Sequence, residues 1–81
     1  METSEIEKSL IIFLKKNILS DGVNINSDSS LRDVGIDSFS IVEIILFIER
    51  KYGLVIPDKH LLPENFINIK SIALLINNLG K

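Results

Sequence analysis

The chain has no cysteine and no tryptophan, and only one histidine, two prolines and four glycines in 81 residues. Without cysteine there is no disulfide staple and no thiolate metal site, so packing has to supply the stability. Excess basic charge is also missing: nine Lys and Arg stand against eleven Asp and Glu, a formal net charge of -2. The largest basic clusters are the pairs Lys15-Lys16 and Arg50-Lys51, too small to neutralise a run of nucleic-acid phosphates. Apolar runs such as Leu10 to Leu14 and Ile44 to Ile48 fall far short of the roughly 20 residues that cross a bilayer. The first five residues, Met1-Glu2-Thr3-Ser4-Glu5, are acidic where a secretory signal is basic. The expectation is one soluble cytoplasmic domain over residues 1–81, monomeric, with no nucleic-acid partner and no membrane span.

What is present is apolar side chain, 46% of the residues, enough for a packed core in a chain near the lower size limit for one. Its spacing is helical. Ile6, Leu10, Phe13 and Leu14 recur on one face and predict a first helix from about Ser4 to Leu19. Ser4 and Glu7 have capping-box spacing, and Ser20-Asp21-Gly22 supplies a stop. A second helix is predicted from Ser38 or Ser40 to Tyr52, with Gly53 as its terminator and either Asp37 or Ser40 (with Glu43 three residues on) as its cap. Pro57 and Pro63 leave room for a short turn of helix capped by Asp58. A last helix from Ile69 to Leu79 carries Ile69, Ile72, Ala73, Ile76 and Leu79 as its stripe, with Gly80 after it. The sum is an all-α fold, a small bundle of three main helices and one short one.

Residues 20–36 form a long polar connection in which Val23, Ile25, Leu31, Val34 and Ile36 are the apolar anchors. A loop of that length in so small a domain is functional or tied down. Asn24, Asn26 and Asp28 alternate as calcium ligands would. The glycine that a calcium loop needs is missing, and Gly35 stands at its twelfth position instead of glutamate. No metal site is expected.

Between that loop and the second helix lies "DVGIDSFSIVEI", residues 33–44, with Ser38 at its centre. A nucleophilic serine needs a base and a group to orient it. The single histidine, His60, sits in the proline-bounded turn, and no nucleophile elbow or glycine-rich oxyanion loop accompanies Ser38. Catalysis by Ser38 is not expected, and locally it reads as a helix-start residue.

The helix after it changes that reading. At about 100° per residue, Ile41, Ile44, Ile45, Ile48 and Tyr52 gather on one side as a core stripe. Phe39, Val42, Glu43, Leu46, Glu49 and Arg50 gather opposite. Apolar anchors fringed by charge make a protein-docking face, with charge steering the encounter. Phe47 falls between the two faces. A serine at the head of such a face suits modification by, and presentation to, other proteins.

At "GIDSFSIVEIILFIERKYGLVIP", residues 35–57, the sequence resembles the phosphopantetheine-dependent carrier proteins, acyl carrier proteins above all. The family's Asp-Ser-Leu signature is met by Asp37-Ser38-Phe39, its preceding glycine by Gly35, and its Glu-rich helix by Glu43 and Glu49. Tyr52 to Pro57 matches the segment after that helix, and "FINIKSIALLI" the start of the last helix. The resemblance covers essentially the whole chain. It implies that a phosphopantetheinyl transferase, using magnesium of its own, moves 4′-phosphopantetheine from coenzyme A onto the Ser38 hydroxyl, with Asp37 in support. The arm's thiol would then carry cargo as a thioester, and the chain itself would not be an enzyme. It further implies partner recognition by Phe39, Val42, Glu43, Leu46, Glu49 and Arg50. Loading ligases or transferases and downstream synthases or acyltransferases would be the partners, and a slot beside the core stripe could shelter a short acyl chain.

Three departures matter. The chain is far less acidic than fatty-acid-synthesis carriers, Arg50 stands where they usually have an acid, and Phe39 replaces the commoner leucine, as in D-alanyl and other stand-alone aminoacyl carriers. A dedicated acyl carrier of a specialised lipid or polyketide pathway is the expectation. An aminoacyl carrier loaded by an adenylating ligase is the first alternative, and an unmodified helical adaptor the second.

Overall fold

The computed structural model describes residues 2–19 and 22–80. Three α-helices lie close to where the apolar spacing places them: α1 over Thr3–Asn17, α2 over Ser38–Tyr52 and α3 over Ile69–Leu79. Between α2 and α3 come two single turns of 3-10 helix, Asp58–His60 and Pro63–Phe66. No strand occurs among the described residues. The all-α bundle is as expected, with its short fourth helix divided in two. Pro63 explains the division: it lacks an N–H, and it holds Leu62 extended at φ -105°, ψ 143°. Asp58 is not the cap of the first turn, because Pro57 occupies that position and no side chain caps it.

The helix ends show which local signals are used. α1 starts one residue earlier than expected, so Ser4 lies inside the first turn and the Ser4–Glu7 box does not form; Glu2 holds the cap position without a side-chain bond. Glu5 in the first turn and Lys15 and Lys16 in the last still match the helix dipole. At the other end the N–H groups of Ile18 and Leu19 both donate to the Leu14 carbonyl, at 3.0 and 2.7 Å. That closes α1 ahead of the predicted stop, of which Ser20 and Asp21 lie outside the described residues. α3 has the capping box that α1 lacks. Asn68 Oδ1 accepts from the Ser71 N–H at 2.7 Å, and the Asn68 N–H donates to Ser71 Oγ at 3.2 Å.

The core is aliphatic throughout. Ile6, Leu10 and Leu14 of α1, Ile44 and Ile48 of α2, and Ile69, Ile72 and Ile76 of α3 are fully buried, and no polar or charged residue is buried among those described. Each such side chain contributes about 1.5–3 kcal/mol relative to exposure. α1 and α3 share the broadest helix-to-helix contact. Phe47, between faces on the helical wheel, stacks on Phe13 of α1 with ring centroids 4.3 Å apart.

The connection from α1 to α2 is laced to this core. Leu31 is buried, as are Ile25 and Ile36; Val23 and Val34 are half-buried. Its backbone also bonds to the entry of α3: the Leu31 N–H donates to the Ile67 carbonyl at 2.9 Å, and the Lys70 N–H to the Ser27 carbonyl at 3.0 Å. These bonds satisfy polar groups that would otherwise be costly to bring against the core.

The caps make a direct contrast. Asn68→Ala should lower unfolding free energy in urea by about 0.5–2 kcal/mol through loss of the box. Ser4→Ala should stay within about 0.5 kcal/mol of the parent, since Ser4 caps nothing.

Candidate functional site

The backbone that delivers Ser38 is wound tightly just before it. The Val34 N–H donates to the Ser30 carbonyl at 3.2 Å, the Gly35 N–H to the Arg32 carbonyl at 3.1 Å and the Ile36 N–H to the Leu31 carbonyl at 2.9 Å. Gly35 sits at φ +92°, a region that other residues rarely adopt. A side chain there would meet nothing within 4 Å, so conformation alone demands the glycine.

Asp37 then caps α2. Its Oδ1 accepts from the Ser40 N–H at 2.9 Å, which settles the choice of cap in favour of Asp37. Ser38 is therefore the first residue of α2, exposed, and followed by Phe39 at 83% exposure. The Ser40 N–H foremost, with the Ser40 hydroxyl, holds the Asp37 carboxyl below its ordinary value of 3.8. An ionised carboxylate thus stands directly before the serine.

The residues beyond it divide as the wheel indicates. Ile44 and Ile48 are buried, and Ile41, Ile45 and Tyr52 half-buried. Phe39, Val42 and Leu46 are exposed, so none of the three is covered by the long loop; Glu43 and Arg50 are exposed beside them. Glu49 differs. It is half-buried, and its Oε2 accepts from the Ile56 N–H at 3.1 Å, which ties the chain after Gly53 back onto α2. Gly53, at φ 63° and ψ 35°, makes that reversal.

Ser38 and Asp37 stand on the rim of an open, largely apolar groove of about 770 Å³. One wall is Ile41 and Ile45 of α2, and the other is built around Leu62, between the two 3-10 turns, and Phe66 of the second. Arg32 lines the same groove as Ser38, a placement the sequence did not suggest. His60 does not line it. That residue borders a separate cavity with Asn65 and Ser71.

Ser38 is thus an exposed helix-start serine, preceded by a capping aspartate and opening onto an apolar groove. The Phosphopantetheine attachment site family matches residues 15–76, which contain all of this machinery. The chain belongs to the phosphopantetheine-dependent carrier proteins.

Among similar carriers is an acyl carrier protein of Campylobacter hominis, 33% identical over 81 residues, with all of this chain and 98% of that one covered. Aminoacyl carrier protein 2 of Bradyrhizobium diazoefficiens is 32% identical over 68 residues, covering 83% of this chain and 74% of the other. A solved structure of a Bradyrhizobium japonicum glycine:[carrier protein] ligase, complexed with its cognate carrier protein and an analogue of glycyl adenylate, holds a chain matched at TM-score 0.75. That match covers 94% of this chain and 96% of the other at 25% identity. In the same ligase complexed with glycylated carrier protein, the match has TM-score 0.73, covers 90% of this chain and 96% of that one, and is 26% identical.

Carriers of this family hold 4′-phosphopantetheine covalently on a serine, and the residues of this chain suit the group. The hydroxyl of Ser38 is exposed on the groove rim, and helix-start N–H groups favour an attached phosphate. No helix among the described residues is long and apolar enough to cross a membrane.

The Asp37 cap has a pH signature. A carboxyl with its folded-state value depressed contributes stability above its ordinary 3.8 and loses it as pH falls through the lower folded value. In urea unfolding across that acidic range, Asp37→Ala should remove part of the parent's loss of stability. An unchanged acid limb would show that the cap contributes none of it.

Proposed function

We propose that Ser38 is the serine that receives the arm, and that the loaded chain carries acyl intermediates in a specialised lipid- or polyketide-type pathway, in the cytoplasm and without catalysing a step itself. The carrying observation is the exposed Ser38 hydroxyl, first in α2 and on the rim of the apolar groove. Attachment forms the Ser38 Oγ–P bond. The phosphorus–oxygen bond to the adenosine bisphosphate part of coenzyme A breaks, and the hydroxyl proton goes to the leaving phosphate or to solvent. Bound there, the arm supplies a thiol that holds cargo as a thioester, which this cysteine-free chain has no thiol of its own to do. Asp37 keeps the serine at the helix start by capping the turn beneath it.

Phe39, Val42 and Leu46, fringed by Glu43 and Arg50, form the face read by the phosphopantetheinyl transferase, the loading enzyme and the downstream synthase or acyltransferase. Glu49 supports this face from behind, through its bond to Ile56. The groove supports acyl cargo, because aliphatic walls shelter hydrocarbon. A second reading, an aminoacyl carrier loaded by an adenylating ligase, is supported by Phe39 and by the similarity to the Bradyrhizobium carriers.

Coexpression with a broad-specificity transferase, followed by intact-mass measurement, should show one phosphopantetheine addition that is lost in Ser38→Ala. No addition, under conditions that modify a control carrier, would favour an unmodified adaptor working through Phe39, Val42 and Leu46. Incubating the phosphopantetheine-bearing, unloaded protein with acyl-transferring and adenylating enzymes and weighing the product separates acyl from aminoacyl cargo.

Two glutamates on one helix should part company. Glu43→Lys should slow transfer from loading enzymes about tenfold or more while leaving the urea midpoint unchanged. Glu49→Gln should lower stability by about 1–3 kcal/mol and speed amide exchange at Ile56, through weakening of a charge-assisted bond. Identical transfer rates for Glu43→Lys would remove that residue from the docking face.

A further inference from the structure

We propose that Arg32 is a positioning residue for the prosthetic group: its guanidinium draws the phosphodiester on Ser38 to the groove end, so that the arm runs along Ile45 and Phe66 and leaves the Phe39–Val42–Leu46 face clear. The inference rests on the reading of Ser38 as the attachment serine.

Attachment places a fixed negative charge at a spot already occupied by one. Asp37, immediately before Ser38, is held ionised by its bond from the Ser40 N–H, and Glu43 lies ahead on the exposed face of α2. Both carboxylates repel a phosphodiester. Among the described residues lining the groove, Arg32 is the one cation. A guanidinium offers a planar fork of donors matched to two phosphate oxygens.

Arg32 is also held in place. The preceding Leu31 is buried and donates its N–H to the Ile67 carbonyl at 2.9 Å, while the Arg32 carbonyl accepts from the Gly35 N–H at 3.1 Å. The backbone is therefore pinned at both sides, and the side chain itself is exposed. Little ordering of the main chain is needed to meet the phosphate, so the contact costs mainly side-chain entropy. An arm that leaves the phosphate on this side starts at the mouth of the apolar groove, where its cargo end can be shielded from water.

The absence of cysteine makes the arm's thiol the one thiol in the molecule, so a maleimide nitroxide attaches there alone. In the nitrogen-15-labelled, phosphopantetheine-bearing protein, paramagnetic broadening should be strongest at the amides of Leu62, Phe66 and Ile67 and weak at Val42, Glu43 and Leu46. Arg32→Gln should cut the groove-wall broadening by at least about twofold, as should high salt, while Arg32→Lys should keep much of it because the charge is restored. Equal broadening in the parent and Arg32→Gln, or broadening in the parent centred on Val42 and Leu46, overturns the proposal. A parent chain that gains no arm by mass overturns the attachment reading beneath it, a failure visible before any label is added.

Discussion

The bond from the Ser40 N–H to the Asp37 carboxylate, 2.9 Å long, decides where α2 begins, and the function of the chain follows from that start. A helix turns by about 100° per residue, so from that start the burial of Ile44 and Ile48 leaves Phe39, Val42 and Leu46 outward. Upstream, the buried Ile36 and the left-handed Gly35 bring the chain to this point in one direction only. Ser38 then stands first in the helix, exposed to solvent and on the rim of the groove.

Such a small domain can carry so much exposed apolar surface because its core has no other business. Every residue buried among those described is aliphatic, and no buried side-chain nitrogen or oxygen there lacks a hydrogen-bond partner. Stability rests on α1, α3 and the inner stripe of α2. The outer stripe of α2 is left free to be apolar, with Phe39 at 83%, Val42 at 53% and Leu46 at 47% exposure. Exposed apolar side chains along one helix face suit the docking proposed above.

Most of this was legible from spacing alone. The apolar stripes place three helices, and the two-faced character of residues 39–52 matches the burial of Ile44 and Ile48 and the exposure of Phe39, Val42 and Leu46. The failures share a physical cause: they concern partners distant in sequence. Glu49 looks like any other carboxylate on the α2 wheel, because a wheel contains no Ile56 returning beside it. Phe47 could not be placed without knowing that Phe13 of α1 lies across from it. Arg32 reads as one polar residue in a polar loop until the Leu31 bond to Ile67 sets it beside the groove. Capping went wrong for the opposite reason. Ser4–Glu7 and Asn68–Ser71 are both plausible local boxes, and only the second coincides with the residue where its helix starts.

Charge arrangement, more than net charge, separates this carrier from a generic one. The balance is only -2, yet it is unevenly spread along α2: Asp37 and Glu43 lie toward the serine, Arg50 and Lys51 in the last turn. Cations in that turn suit the helix dipole, so the pattern costs the fold nothing. For docking it is a filter. An enzyme surface shaped for a uniformly acidic helix would bring its own cations against Arg50 and Lys51, and like charges brought together disfavour a complex more surely than missing attraction does. A partner with basic groups near the serine and acidic groups at the far end meets no such penalty. If the outer side of α2 meets partners as proposed, the side chains that attract one set of enzymes would exclude another, and a carrier of this size would be dedicated to a pathway without any change in the group it carries.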